Sequence, residues 1–292
     1  MLARWTDSLY ELIVRASSDL PEDVQAVLEH ACAGEEPGSN ARRALETILE
    51  NASRARRTQR PLCQDTGALL CWVQAPAGSH RSPFQSAFEE AVRRATADGV
   101  LRQNSVDSVS GCNSGTNLGP GSPVVHWREG TESVWRVSLV LKGGGCENVG
   151  RQYSLPNSEL GAGRDLEGVR RCILDAVNRA QGKGCAPGVL GVAIGGDRAT
   201  GYAESKRQLL RKIGQRSTSD ELAELEKRVL QEANELGIGP MGFGGRTTLL
   251  DVFVGALNRL PASYFVSISY MCWAFRRKQM VANVEGEVLE WR

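Results

Sequence analysis

The chain carries eight cysteines, at positions 32, 63, 71, 112, 146, 172, 185 and 272, and their neighbours sort all but Cys112 into two kinds. Cys172 shares an apolar stripe with Val169, Ile173 and Ala176, the pattern of a buried structural thiol. Cys32 and Cys71 sit among apolar or small residues and also read as core. Cys63, Cys146, Cys185 and Cys272 differ, because each abuts a turn or the end of a strand. Cys63 precedes Gln-Asp-Thr-Gly, Cys185 precedes Ala-Pro-Gly, and Cys272 precedes Trp-Ala-Phe-Arg-Arg. A thiolate is a strong metal ligand, and three of these four would suffice for a metal or cluster site. No C-x-x-C pair occurs, so zinc ribbons, thioredoxin-type sites and ferredoxin-type clusters lack their signature. With only three histidines, any metal site must draw its ligands from distant segments.

The glycines form a second set. Gly237 to Gly242 reads Gly-Ile-Gly-Pro-Met-Gly and matches G-x-G-x-x-G. A dinucleotide fingerprint should follow a strand, whereas this one follows a long amphipathic helix and contains Pro240. The glycines are better explained by close approach of backbone to a ligand, as are Gly143–Gly145 and Gly195-Gly196. Three such turns at the ends of predicted elements suggest one crowded site.

The elements that must hold these residues follow from periodicity. Trp5, Leu9, Leu12 and Ile13 share one helical face. Pro21 opens a second helix with Val24, Val27 and Leu28, and Asn40 is positioned to cap a third with Ala44, Leu45, Ile48 and Leu49. The basic run 54–60 reads as a solvated face. A further helix is expected from Pro83 to Asp98, ended by Gly99. Residues 110–122 are a loop by composition. Strands are expected at 134–141, 189–194 and 263–270, and helices at 166–180, 219–236 and 248–257. The expected fold class is α/β (mixed α+β): a helical N-terminal region followed by a mixed sheet with flanking helices. Residues 1–292 are expected to form a single domain, possibly divided into two lobes with a seam near 125–165.

Bulk properties exclude several classes. Hydrophobic residues make up 41%, charged residues 24%, and the formal charge is +1, so no clustered positive field marks a nucleic-acid or membrane partner. The first twenty residues have no apolar signal region, and no stretch is long enough to cross a bilayer, so a cytoplasmic location is expected.

The segments PLCQDTG (61–67), GGGCEN (143–148), GCAPGVLGVAIGG (184–196), GIGPMGFGGRTT (237–248) and CWAFRR (272–277) resemble, in order, the motif series of class I fumarases. They are equally similar to the α subunit of L(+)-tartrate dehydratase, over roughly residues 5–285. The resemblance implies that Cys63, Cys185 and Cys272 hold a [4Fe–4S] cluster. Three thiolates would leave one iron open as a Lewis acid, whereas an electron-transfer cluster is normally closed by four protein ligands. It further implies that Gln64, Asp65, Arg102 and Gly145 contact substrate, with Asp65 also counted as catalytic. Arg102 would pair with a carboxylate through its planar fork. Lys142, Asn117 and Arg246 are weaker candidates.

The resemblance thus implies a hydro-lyase subunit acting on a small dicarboxylate, with fumarate to malate preferred over tartrate or a methylated diacid such as mesaconate. It also implies a separate β subunit supplying the base and further cations, because the chain ends at Arg292 before any such domain. Two residues depart from the pattern. Leu260 stands where many family members have histidine and cannot exchange protons, and Cys146 stands where many fumarases have serine. Two other classes remain: a non-catalytic cluster-binding redox or iron sensor, which would need no Gln64-Asp65 substrate arm, and a nucleotide-binding protein using the glycine loop.

Overall fold

The computed structural model of the protein describes residues 2–292. The chain opens with helices α1 (Leu2–Ser18), α2 (Glu22–Gly34) and α3 (Asn40–Thr58), followed by strand β1 (Ala68–Pro76) and helix α4 (Arg81–Ala97). Next come β2 (Val124–Gly130), β3 (Trp135–Lys142), the one-turn α5 (Gly144–Asn148), β4 (Arg151–Ser154) and α6 (Leu166–Ala180). The remainder is β5 (Gly188–Ile194), α7 (Arg198–Gln208), α8 (Asp220–Glu235), β6 (Leu249–Ala256), β7 (Phe265–Met271), β8 (Arg276–Ala282) and β9 (Val288–Trp291). The class is mixed α/β with helices leading, as expected. Its strands lie in two mixed sheets rather than one.

The chain divides into two units, each assembled from separated segments. The first comprises residues 1–21, 50–144 and 274–292. Its sheet has the order β2-β1-β3-β8-β9, with β1 and β2 parallel and the other pairings antiparallel. Helices α1 and α4 cover this sheet. Leu9, Leu12, Ile13, Phe88 and Val92 bury their side chains against Cys71, Val137, Leu139 and Met280. Trp5, Phe84 and Trp135 close one end of this core through edge-on and stacked ring contacts.

The second unit comprises residues 22–49 and 145–273. Its sheet runs β4-β7-β5-β6, with β5 and β6 parallel and the flanking pairs antiparallel. Helices α6 and α8 pack their apolar stripes on it, through Val169, Cys172, Ile173, Val229 and Ala233. Asp165 caps α6 by accepting from the Gly168 N–H, and Ser219 does the same for α8 from Leu222.

Two expectations need correction. Residues 248–257 form strand β6, not a helix; Leu249 to Val254 are buried on both faces, Asp251 included, so the segment has no period to read. The first hundred residues are mainly helical, as expected, with β1 following the Cys-Gln-Asp-Thr-Gly turn as an interior strand of its sheet. The third helix is capped by Ser39, whose Oγ accepts from the Arg42 N–H at 3.1 Å, rather than by Asn40.

Candidate active site

Strand register collects the chemistry-bearing residues at one edge of each sheet. In the first unit Ala68 at the start of β1 pairs with Lys142 at the end of β3, and Leu141 pairs with Arg276 at the start of β8. The turn Cys63–Gly67, the glycines 143–144 and Arg276 therefore share an edge. In the second unit Val189 near the start of β5 pairs with Met271 at the end of β7, which brings Cys185 and Cys272 to a common edge. Arg151, at the start of β4, pairs with Ile268, so Gly145 and Cys146 lead into the same edge, as does the loop before β6.

The Cys63 turn is pinned at several backbone positions. The Leu62 N–H donates to the Ser17 carbonyl, and Asn51 Nδ2 donates to the Leu62 carbonyl. Asp65 uses both carboxylate oxygens on backbone N–H groups: Oδ1 accepts from Gly67 at 3.0 Å, and Oδ2 accepts from Gly144 at 2.8 Å. Gly143 has to be glycine for this clamp to close, since a Cβ there would stand 2.7 Å from Asp65 Oδ2. Gly67 has φ +81°, and a Cβ on it would meet the Lys142 backbone at 2.7 Å. Arg276 Nη1 donates to the Asp65 carbonyl at 2.8 Å. Cys63 is half-buried and Gln64 exposed at the tip.

Arg102 lies beside this turn. Its N–H donates to Thr66 Oγ1 at 3.0 Å, and its guanidinium reaches the Gln64 carbonyl at 3.4 Å, leaving the exposed fork free to meet a carboxylate. Buried Asn117, at φ +61°, organises the segment: its Oδ1 accepts from the Asn104 and Ser105 N–H groups, and its Nδ2 donates to the Arg102 carbonyl and Thr96 Oγ1. Four of the predicted residues, Cys63, Gln64, Asp65 and Arg102, are thus brought together. Asn117, a weaker candidate in the sequence, and Arg276, which lies in the CWAFRR segment without an assigned role, hold them.

In the second unit Cys185 adopts left-handed φ 55°, ψ 62°, and its carbonyl accepts from the Trp273 N–H at 3.2 Å, tying it to the residue after Cys272. Tyr270 fills the space between. A Cβ on Gly184 or Gly188 would stand 2.5 or 2.3 Å from its ring, so both flanks of the Cys185 turn must be glycine. Burial pushes the Tyr270 hydroxyl well above its usual range, and negative charge at Cys272, Cys146 and Cys185 pushes it further the same way. The buried Tyr270 hydroxyl has no hydrogen-bond partner. Glu147 pairs with Lys206 of α7 at 2.5 Å and fastens the Gly145-Cys146 turn. Cys32, Cys71 and Cys172 conform to the core reading: all three are buried, and burial raises the Cys172 thiol to about 12, while Cys112 is exposed.

Leu260 lies at the other edge. It follows β6 and is 73% exposed, so it does not pack beneath β7. An open cleft of about 720 Å³ between Gly195, Leu257, Asn258, Arg259, Pro261 and Tyr264 occupies that edge. At about 3.3 Å per residue, the seven residues of β5 put it roughly 20 Å from Cys185. Within this unit Leu260 is remote from the cysteine pair.

A family model described as fumarate hydratase (fumerase) matches residues 6–281. The chain belongs to the fumarate hydratase family. A Geobacillus stearothermophilus protein named "Putative fumarate hydratase class I" is 47% identical over 289 residues, covering 98% of this chain. The chain spans 56%, about half, of that relative's length. A Methanocaldococcus jannaschii protein named "Putative L(+)-tartrate dehydratase subunit alpha" is 36% identical, with 93% of this chain and 95% of the relative covered. The Escherichia coli O157:H7 protein named "L(+)-tartrate dehydratase subunit alpha" is 31% identical, with 96% and 91% covered. No helix among the described residues is long and apolar enough to cross a membrane.

For a fumarate hydratase-type chain the question is whether these residues suit an iron–sulfur cluster. Among the described residues no group of three or more His, Cys, Asp or Glu side chains is placed to hold a metal ion. Thiols are the donors such clusters take. Each predicted ligand stands on a turn locked by backbone hydrogen bonds, and each turn has beside it a buried polar atom without a partner: Arg276 Nε in the first unit, Tyr270 Oη in the second. The donor set fits.

Proposed function

We propose that the chain is the cluster-binding part of a hydro-lyase that interconverts fumarate and malate. The observation that carries this reading is the gathering of the motif residues at one edge of each sheet, on turns where Gly67, Gly143, Gly184 and Gly188 leave no room for a Cβ. Cys63, Cys185 and Cys272 would hold a [4Fe–4S] cluster. When bound, the cluster supplies an open iron that acts as a Lewis acid toward the substrate hydroxyl.

The chain's own residues bind and orient. Arg102 offers its exposed guanidinium to one substrate carboxylate, and the Gln64 side chain donates beside it. Asp65 holds the turn through two backbone N–H groups, and each carboxylate oxygen keeps a lone pair to accept a substrate hydroxyl hydrogen. Gly145 leaves its backbone N–H approachable, since even an added Cβ would touch only the Lys183 carbonyl at 3.8 Å. The base that removes the proton, and further carboxylate-binding cations, belong to a β portion on a partner chain. The relatives named as α subunits, which this chain covers nearly end to end, support that division. The 47% identity to a relative named for fumarate supports fumarate over tartrate. Leu260, remote from the cysteine pair, has no part in the substrate choice.

The test is anaerobic reconstitution with iron and sulfide. Wild type should turn brown and bleach in air. Cys63→Ser, Cys185→Ser and Cys272→Ser should lose cluster retention, while Cys172→Ser keeps it. Full iron and sulfide in all three ligand variants would refute the assignment.

A further inference from the structure

Arg276 is 1% exposed, one of the largest fully buried side chains among the described residues. A buried guanidinium ordinarily faces a carboxylate, because an ion stripped of water needs a countercharge. The protein follows that rule elsewhere. Buried Glu226 pairs with Arg211, and buried Asp251 pairs with Arg216. Arg276 departs from it. Its Nη1 donates to a neutral acceptor, the Asp65 carbonyl at 2.8 Å, and its Nε is buried with no partner. The carboxylates buried among the described residues are Glu35, Glu226 and Asp251, and all belong to the other unit. Asp65 itself does not neutralise Arg276, since its carboxylate oxygens are turned to Gly67 and Gly144.

The first unit therefore carries a buried positive charge fastened to the backbone of the Cys63 turn and paired directly with no carboxylate of that turn. The geometry points to Arg276 as a positioning residue and countercharge for an anionic thiolate-ligated iron–sulfur cluster held at Cys63, an inference that rests on the function proposed above. A cluster bearing several thiolates is net anionic, and nearby charge and hydrogen bonding tune its affinity and potential. A substrate carboxylate is the lesser candidate. Arg102, on the same turn, presents an exposed fork suited to a ligand that must come and go, whereas Arg276 is sealed beneath the turn.

The experiment compares wild type, Arg276→Lys and Arg276→Gln, each reconstituted as the full chain with ferrous iron and sulfide. It reads iron and sulfide per chain, the rate of bleaching by a chelator, far-UV circular dichroism, and fumarate binding by calorimetry. Arg276→Gln should keep wild-type dichroism yet lose its cluster about ten- to a hundredfold faster, the usual scale for outer-shell partners of a metal site. Arg276→Lys, which restores the charge, should recover most of that loss. If Arg276→Gln does not fold, the lysine variant carries the test, and bleaching of folded Arg276→Lys as fast as expected for the glutamine variant overturns the countercharge role. Wild-type cluster retention in folded Arg276→Gln overturns it too, as does an intact cluster with weakened fumarate binding; both leave the proposed function standing. Failure of wild type to take up iron and sulfide overturns both readings.

Discussion

Asn117 illustrates how the site is held together by single residues that do no chemistry. One amide satisfies the Asn104 and Ser105 N–H groups and the Arg102 carbonyl, so the path of the arginine segment depends on it. It also sits at φ +61°, which asparagine tolerates better than alanine. Asn117→Ala should lower unfolding stability by about 2–4 kcal/mol, summing orphaned backbone groups and left-handed strain. Urea denaturation with an unchanged slope is the measurement, and a loss below about 0.5 kcal/mol would contradict it. The residues that face outward, Cys63, Gln64, Asp65 and Arg102, were readable because a short motif names them. Asn117 was set aside and Arg276 passed unremarked, because their roles are bonds to backbone atoms that only sheet register brings near. Leu260, which stands where many family members have histidine, lies the length of β5 away from the cysteine edge of its unit.

At the scale of elements, the amphipathic helices were legible, as were the buried strands β3, β5 and β7, whereas β6 was not. The stripes of α1, α4, α6 and α8 face the cores as the 3.6-residue period requires. Strand β6 has both faces covered and so shows no alternation, while α7 has little apolar content to mark it. The α6–α8 contact is fastened by charge as well as by packing. Arg170 of α6 bonds Glu167 on its own helix and Glu232 on α8, and Arg228 of α8 reaches back to Glu167 at 3.3 Å. The hydrogen bond from Arg170, aided by those from Arg171 and by the charge of Arg228, holds the Glu167 carboxyl at about 2 against an ordinary 4.5. A depressed carboxyl contributes stability in full above its unfolded value and loses it as pH falls through its folded value. The contribution should therefore be complete above about pH 4.5 and fade toward about pH 2. Solvent screening keeps it modest, since Glu167 is substantially exposed. Melting temperatures of wild type and Glu167→Gln should differ at pH 6 and converge near pH 2. A gap that does not change with pH would show that the pair contributes by packing alone.

At the scale of the molecule the central fact is coverage. The chain accounts for 91–95% of relatives named as α subunits but 56% of one named as a whole class I enzyme. The edges described above supply thiols, one exposed guanidinium on the Cys63 turn and backbone N–H groups. In the function proposed above the base lies on a partner; Lys142, at the end of β3 on this edge, has its side chain buried. A dehydration needs one group to take the proton from carbon and cations to hold the charge that develops on the carboxylate. A chain that binds and orients without that base should hold its cluster and turn over poorly. Loss of a general base typically costs about 10²–10⁴-fold, so the isolated, reconstituted chain should hydrate fumarate at or below about a hundredth of the complete enzyme's rate. Adding a separately produced β chain, or the segment of the Geobacillus relative that this chain does not cover, should restore the rate. With a net charge of +1 the chain has little long-range field to steer association, so restoration should depend only weakly on ionic strength. The measurement is the loss of fumarate absorbance as the complementing chain is titrated in at two salt concentrations. Strong turnover by the isolated chain, unchanged by any amount of added partner, would mean that the base lies within these 292 residues after all.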